Sequence, residues 1–143
     1  MTLQPLAVLV VGGLLGAAGG VSALLLYIVL GALGLPVFAG GGAGILHLLG
    51  PTGGYLLAFP IAAGVTGALS GRVPRSPLRV LLACALGVVI IHVGGVAQLA
   101  LLGGDPSLAM RVGFVPFVTG DLLKVGLAAA LILAAGTRVR RLL

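Results

Sequence analysis

From residue 5 to residue 34 the chain runs for 30 residues without one charged side chain. As a single straight helix that block would be about 45 Å long, against a bilayer hydrocarbon core of about 30 Å. It is too apolar for water and too long for one crossing, so it calls for a lipid solvent and an interruption. GAAGG at 16–20 supplies the interruption, because consecutive glycines weaken a helix and permit backbone angles that other residues avoid. The pattern predicts a short helix over about 5–15, with Pro5 suited to a first helical position, and another over about 21–33. One tilted helix is the alternative.

Pro36 and the glycines after it end the second segment. A third is expected over 54–69, with a kink at Pro60, and a fourth over 78–102, long enough to cross fully. GGDPS at 103–107 signals a turn, and 119–135 forms the last segment before RVRR at 138–141. Composition agrees: 60% of the residues are hydrophobic, 7% are charged and mean hydropathy is +1.34, which leaves no room for a soluble domain beside the spans. The expectation is an all-α integral membrane protein, a compact bundle of about five transmembrane helical segments with a Gly-rich outer loop. Residues 1–143 are expected to form a single membrane domain, multi-pass in the cytoplasmic membrane.

The net charge of +6 would suggest nucleic acid in a soluble chain. Six of the eight basic residues, however, fall in two tracts, Arg72, Arg75, Arg79 and Arg138, Arg140, Arg141, with no aromatic residue among them. They read as cytoplasmic loop and tail, and no nucleic-acid partner is expected. Residues 103–118 and the glycine loop at 35–52 then face outside, and so does the start of the chain. A chain with no basic region ahead of its first apolar run and no secretory signal enters the membrane awkwardly that way, which hints at a span missing in front. Cys84 lies in an apolar run and reads as a small core residue.

So few polar residues remain that each can be weighed alone. Asp121 and Lys124 stand three apart near the start of the last segment, hence on one face, where ionisable groups often mark a ligand or ion pathway. Helix-end stabilisation by Asp121, with Lys124 paired or snorkelling, explains them equally well. His92 has no carboxylate at helical spacing and reads as a hydrogen-bonded packing residue rather than a proton relay or a substrate contact. Gln98 falls on the opposite side of that helix from His92, His47 reads as an interfacial loop residue, and Arg111 as a solvated loop charge. Two separated histidines, one cysteine and two aspartates make no metal site, and no cofactor is expected. GPTGG lacks the Lys-Ser/Thr of a phosphate loop, and Ser70 matches no nucleophile motif, so an enzyme is not expected.

The glycine loop itself has two readings. Irregular backbone at membrane depth survives where it is buried in protein or lines a cavity. The loop is therefore either a packed cap or one wall of a pocket, with Phe38, Tyr55 and Phe59 as flat apolar surfaces.

GLPVFAGG at 34–41, LLGPTGGYLLAF at 48–59 and FVTGDLLK at 117–124 recur in the order found in the BioY family, which the chain resembles over essentially its whole length. TLQPLAVL at 2–9 resembles the family's second-helix segment. These are the biotin-specific substrate-capture subunits, or S components, of energy-coupling-factor vitamin transporters. The resemblance implies a six-helix membrane protein with an outward pocket for biotin. It would deliver its cargo through a transmembrane coupling subunit and ATPase subunits. It further implies Lys124 at the biotin carboxylate, Asp121 at the ureido N–H side, Thr52 and Tyr55 at the pocket, and Gln4 as a weaker candidate. The family's first helix and a Pro-rich connection are absent ahead of TLQ, which implies a misplaced start or a natural shortening. His92 stands where the family is expected to carry Tyr, altering the pocket or simply repacking. The expected function is biotin uptake, with another small vitamin, or a non-transporting scaffold or inactive fragment, as rivals.

Overall fold

The computed structural model describes residues 2–71 and 76–142. Its helices are α1 (Gln4–Ala32), α2 (Ile45–Leu49), α3 (Gly53–Ser70), α4 (Pro77–Gly103), α5 (Pro106–Gly113) and α6 (Val118–Leu142), with 3-10 turns at Ala39–Gly41 and Val115–Phe117. The basic residues Arg72 and Arg75 lie outside the described residues.

α1 is a hairpin. Gly16 takes φ 77° and ψ 179°, a conformation open in practice to glycine alone. Gln4 and Tyr27 would stand roughly 34 Å apart along a straight helix. Instead the Gln4 Nε2 donates to the Tyr27 hydroxyl at 2.7 Å. Lower in the hairpin, a Cβ on Gly20 would lie 2.9 Å from the Cα of Gly12. Counted through the turn, α1 is long and apolar enough to cross a membrane. Folded, its halves over 4–15 and 17–32 rise about 18 and 24 Å. The interruption predicted within 16–20 is therefore real and falls on its first glycine, and among the described residues the bundle has five long helical segments.

The hairpin packs on α3 through small residues: a Cβ on Gly12 would run into the backbone of Ala63, and one on Gly67 into that of Gly16 and Ala17. Val8, Leu24, Phe38, Leu56, Phe59, Ala62, Ala63 and Ile91 form one buried cluster joining both halves of α1 to α3 and α4. Leu9, one residue after Val8, faces a second cluster with Val80, Cys84, Val88, Ala128, Ala129 and Ile132 of α4 and α6. The first half of α1 is thus a wedge between two cores. Leucines such as Leu57, Leu82, Leu101 and Leu123 are more than half exposed, as lipid-facing side chains of a bundle without a polar jacket are.

The third, fourth and fifth segments match their expected positions, with α3 continuing as helix through the buried Pro60. α6 runs on through the basic residues to Leu142. α5 was not expected beyond its turn signal. Asp105 starts it as an N-cap, its side chain accepting from the backbone N–H of Ser107 and Leu108 at 2.9 and 3.1 Å. Because α4 and α6 are antiparallel, Arg79 and Arg138 fall at one end of the bundle. Gln4, the loop over 33–52, α5 and Asp121 gather at the other. Arg79 and Arg138 are among the residues that the positive-inside rule reads as cytoplasmic.

Candidate functional site

The loop over 33–52 folds down onto its end of the bundle instead of spreading into solvent. Gly34, Gly40, Gly41 and Gly44 all have positive φ, which lets the chain reverse within a few residues. The Gly44 N–H reaches back to the Gly31 carbonyl at 2.7 Å. Phe38 is 3% exposed and meets Tyr27 edge to face at 5.6 Å. It belongs to the core and does not line the pocket, which corrects its assignment as a pocket surface. The ring is drawn inward because the bare backbone of Gly31 leaves room for it. Gln98 closes the far side of the loop, its Nε2 donating to the carbonyls of Leu48 and Gly50.

Beneath the loop lies a cavity of about 410 Å³, within the range of small-molecule sites. Its walls include Gln4, Thr52, Tyr55, Asp121 and Lys124, so all the residues proposed from the sequence converge there. Phe59, Ile91, Leu99 and Phe117 supply apolar wall. The Tyr55 hydroxyl donates to the Gly113 carbonyl at 2.7 Å, tying α3 to α5 across the mouth. Thr52 is exposed at the start of α3 and caps nothing with its side chain. The Gln4 amide is engaged with Tyr27, whose hydroxyl in turn donates to the Val37 carbonyl at 3.0 Å.

The charged groups form one cluster. Lys124 Nζ lies 3.1 Å from Asp121 Oδ1, the meeting expected of residues three apart on a helix. Asp121 and Lys124 are 5% and 8% exposed, too buried for a solvated surface pair. His92, from α4, places Nε2 3.1 Å from Asp121 Oδ2. That approach has the distance of an ion pair without the alignment of a hydrogen bond, so Oδ2 keeps unused acceptor capacity. The other ring nitrogen, Nδ1, lies 3.0 Å from the Val88 carbonyl.

His92 was left out of the residues proposed for the pocket, although altering the pocket was one of its two readings. It is hydrogen-bonded and 6% exposed, as a packing histidine would be, yet it also lines the cavity and faces a carboxylate. Its partner sits on another helix, out of reach of any spacing rule. His47 was read as interfacial and instead lines the pocket, stacked on Phe38 at 5.4 Å. Arg111 is exposed, as expected, but on the helix α5 and not in a loop, and Ser70 is occupied in a bond to the Thr66 carbonyl at 2.6 Å. Among the described residues no group of three His, Cys, Asp or Glu could hold a metal.

An apolar helical bundle with a small, charged, aromatic-walled cavity at the end remote from Arg79 and Arg138 is the construction of a multi-pass membrane protein of the solute-transport class. Residues 1–141 match the sequence model of the BioY family, and the chain belongs to that family. It is 41% identical over 134 residues to the probable biotin transporter BioY of Pyrococcus horikoshii, covering 94% of this chain and 77% of that protein. It is 42% identical over 132 residues to the biotin transporter BioY of Thermotoga maritima, covering 92% and 78%. Its fold superposes on the 2.1 Å crystal structure of the S-component for biotin from an ECF-type ABC transporter. The TM-score is 0.83 at 26% identity, over 99% of this chain and 75% of that one.

Proposed function

We propose that the protein takes up biotin across the cell membrane, binding it from outside and handing it to an energy-coupling module of a transmembrane subunit and ATPases. The observation that carries this reading is the meeting of Asp121 and Lys124 in one apolar-walled cavity of a BioY-family chain. Biotin offers one carboxylate, a ureido group with two N–H donors, and an otherwise apolar body. Lys124 is assigned to the carboxylate as a point charge, and Asp121 to the ureido N–H, which a carboxylate accepts in charge-assisted hydrogen bonds. Tyr55 and Thr52 are assigned to the rim, with Gln4 beside them. The protein performs no chemistry on its cargo; selectivity rests on pairing each polar group of the ligand inside an apolar enclosure.

Those two assignments set a geometric condition. The two ends of an extended biotin lie far apart, whereas Lys124 Nζ and Asp121 Oδ1 are 3.1 Å apart. Lys124 therefore swings away from Asp121 on its flexible stem when the ligand enters.

Equilibrium binding of labelled biotin to the purified protein tests the proposal. The expected result is saturable binding displaced by unlabelled biotin and unaffected by excess thiamine or riboflavin. Displacement by one of those vitamins instead, or absence of saturable binding, overturns it.

A further inference from the structure

The ring of His92 is fixed between two acceptors. Nδ1 faces the Val88 carbonyl at 3.0 Å, and a carbonyl has no proton to give, so Nδ1 carries the hydrogen. In a neutral imidazole Nε2 would then stand uncharged and without a proton 3.1 Å from the buried Asp121 Oδ2, an anionic oxygen that no hydrogen bond satisfies. A second proton, on Nε2, makes that approach an ion pair.

Charge counting points the same way. Asp121 and Lys124 cancel, so with a neutral His92 the buried cluster has no net charge, and a ligand carboxylate would meet it as an uncompensated anion. With His92 protonated the cluster carries one positive charge, and one carboxylate neutralises it. Buried charges persist where they are paired, so the second arrangement suits an anionic ligand and the first does not.

We propose that His92 is the protonated counter-ion that holds Asp121 while Lys124 leaves it for the carboxylate of the ligand. In the empty site Asp121 is shared, Oδ1 with Lys124 and Oδ2 with His92. When Lys124 departs, His92 keeps the aspartate paired, and the vacated Oδ1 is free to accept a ligand N–H. His92 is thus a positioning residue that makes capture of the anion depend on pH. The titratable groups facing it are Asp121 and Lys124 from α6 and Tyr55 from α3, whose ring meets it edge to face at 6.1 Å. The connection before α6 presents Phe114 and Phe117, and α1 lines the cavity with Gln4 and Pro5, none of which titrates.

This inference rests on the biotin reading, and two measurements separate their failures. The first is biotin affinity of the intact protein between about pH 6 and 8, where the ligand carboxylate stays ionised and histidine can change charge. Affinity is expected to fall by about thirtyfold as pH rises, the lower end of what a buried charge loses with its partner. The neutral amide of biotin should change much less. His92→Gln, a neutral polar side chain of similar reach, should keep the fold and flatten the biotin profile. An unchanged pH profile in His92→Gln overturns the proposal, as does an equal slope for biotin and its amide. The second measurement needs no ligand: 15N chemical shifts of labelled histidine, with His92 assigned by its loss in His92→Gln. Both ring nitrogens protonated at about pH 6 is the expected result. An unprotonated Nε2 there overturns the assignment, whether or not biotin binds; absence of biotin binding beside a doubly protonated ring overturns the biotin reading alone.

Discussion

The two ends of this bundle solve opposite problems. At the basic end, helices close on one another through small residues: Gly12 against Ala63, Gly67 against the α1 turn at Gly16, and Ala128 and Ile132 against Val80 and Cys84. The polar side chains there are satisfied within or between helices, Ser70 by Thr66 and Thr66 by Ala83 at 3.4 Å. At the other end the same helices splay around a cavity. That end holds Asp121, Lys124 and His92, and with them an aspartate oxygen that lacks a hydrogen bond. Among the described residues, the buried hydroxyls of the first end are paired, and the other end keeps polar capacity in reserve. Membrane helices gain little from apolar burial, since lipid is as apolar as leucine, so close backbone packing holds the first end. Buried charge is costly in lipid, and its retention at the second marks that end for a ligand.

Substitutions at the two ends should separate along this line. Asp121→Asn keeps size but removes the anion between Lys124 and His92, and biotin affinity should fall about a hundredfold or more in a protein that still elutes as folded. Gly12→Leu should do the reverse. Overpacking against Ala63 is expected to lower the melting temperature by about 5–10 °C in a thermal-shift assay, with the surviving folded fraction binding normally. Tyr55→Phe removes one bond, to Gly113, and should weaken binding about fivefold by loosening α5 over the mouth, as read by titration. The smallest effect belongs to Arg111→Ala, an exposed residue whose loss should leave affinity within about twofold. A large loss of binding from Gly12→Leu without loss of stability would erase the distinction between the ends.

The sequence carried much of this architecture because lipid leaves few options. A charge-free block too long for one crossing had to fold, and the glycines at 16–20 told where; the structure turns at Gly16. Spacing alone put Asp121 and Lys124 on one face, and the motifs GPTGGY and GDLLK tied Tyr55 and Thr52 to the same place. What spacing does not encode is register between helices. α4 runs on from His92 to Gly103, roughly 16 Å, whereas Asp121 stands just inside α6. α5 fills the difference in the connection, and the packing of Val80, Cys84 and Val88 on Ala128, Ala129 and Ile132 sets the register that brings His92 to Asp121. Gln98 escaped for a related reason: its partners are backbone carbonyls of Leu48 and Gly50, which any residue would offer. Phe38 was misplaced because the loop's left-handed glycines turn it back beneath Gly31, a reversal that residue type alone does not specify.

The central claim is that Lys124 recognises the carboxylate of biotin from within this cluster. A double-mutant cycle isolates that contact: affinities of the unmodified protein and of Lys124→Ala for biotin and for its neutral amide. Lys124→Ala is predicted to weaken biotin about thirtyfold and the amide by less than about threefold, a coupling of roughly 1.5 kcal/mol or more. Equal losses for the two ligands would place the carboxylate elsewhere and contradict the account.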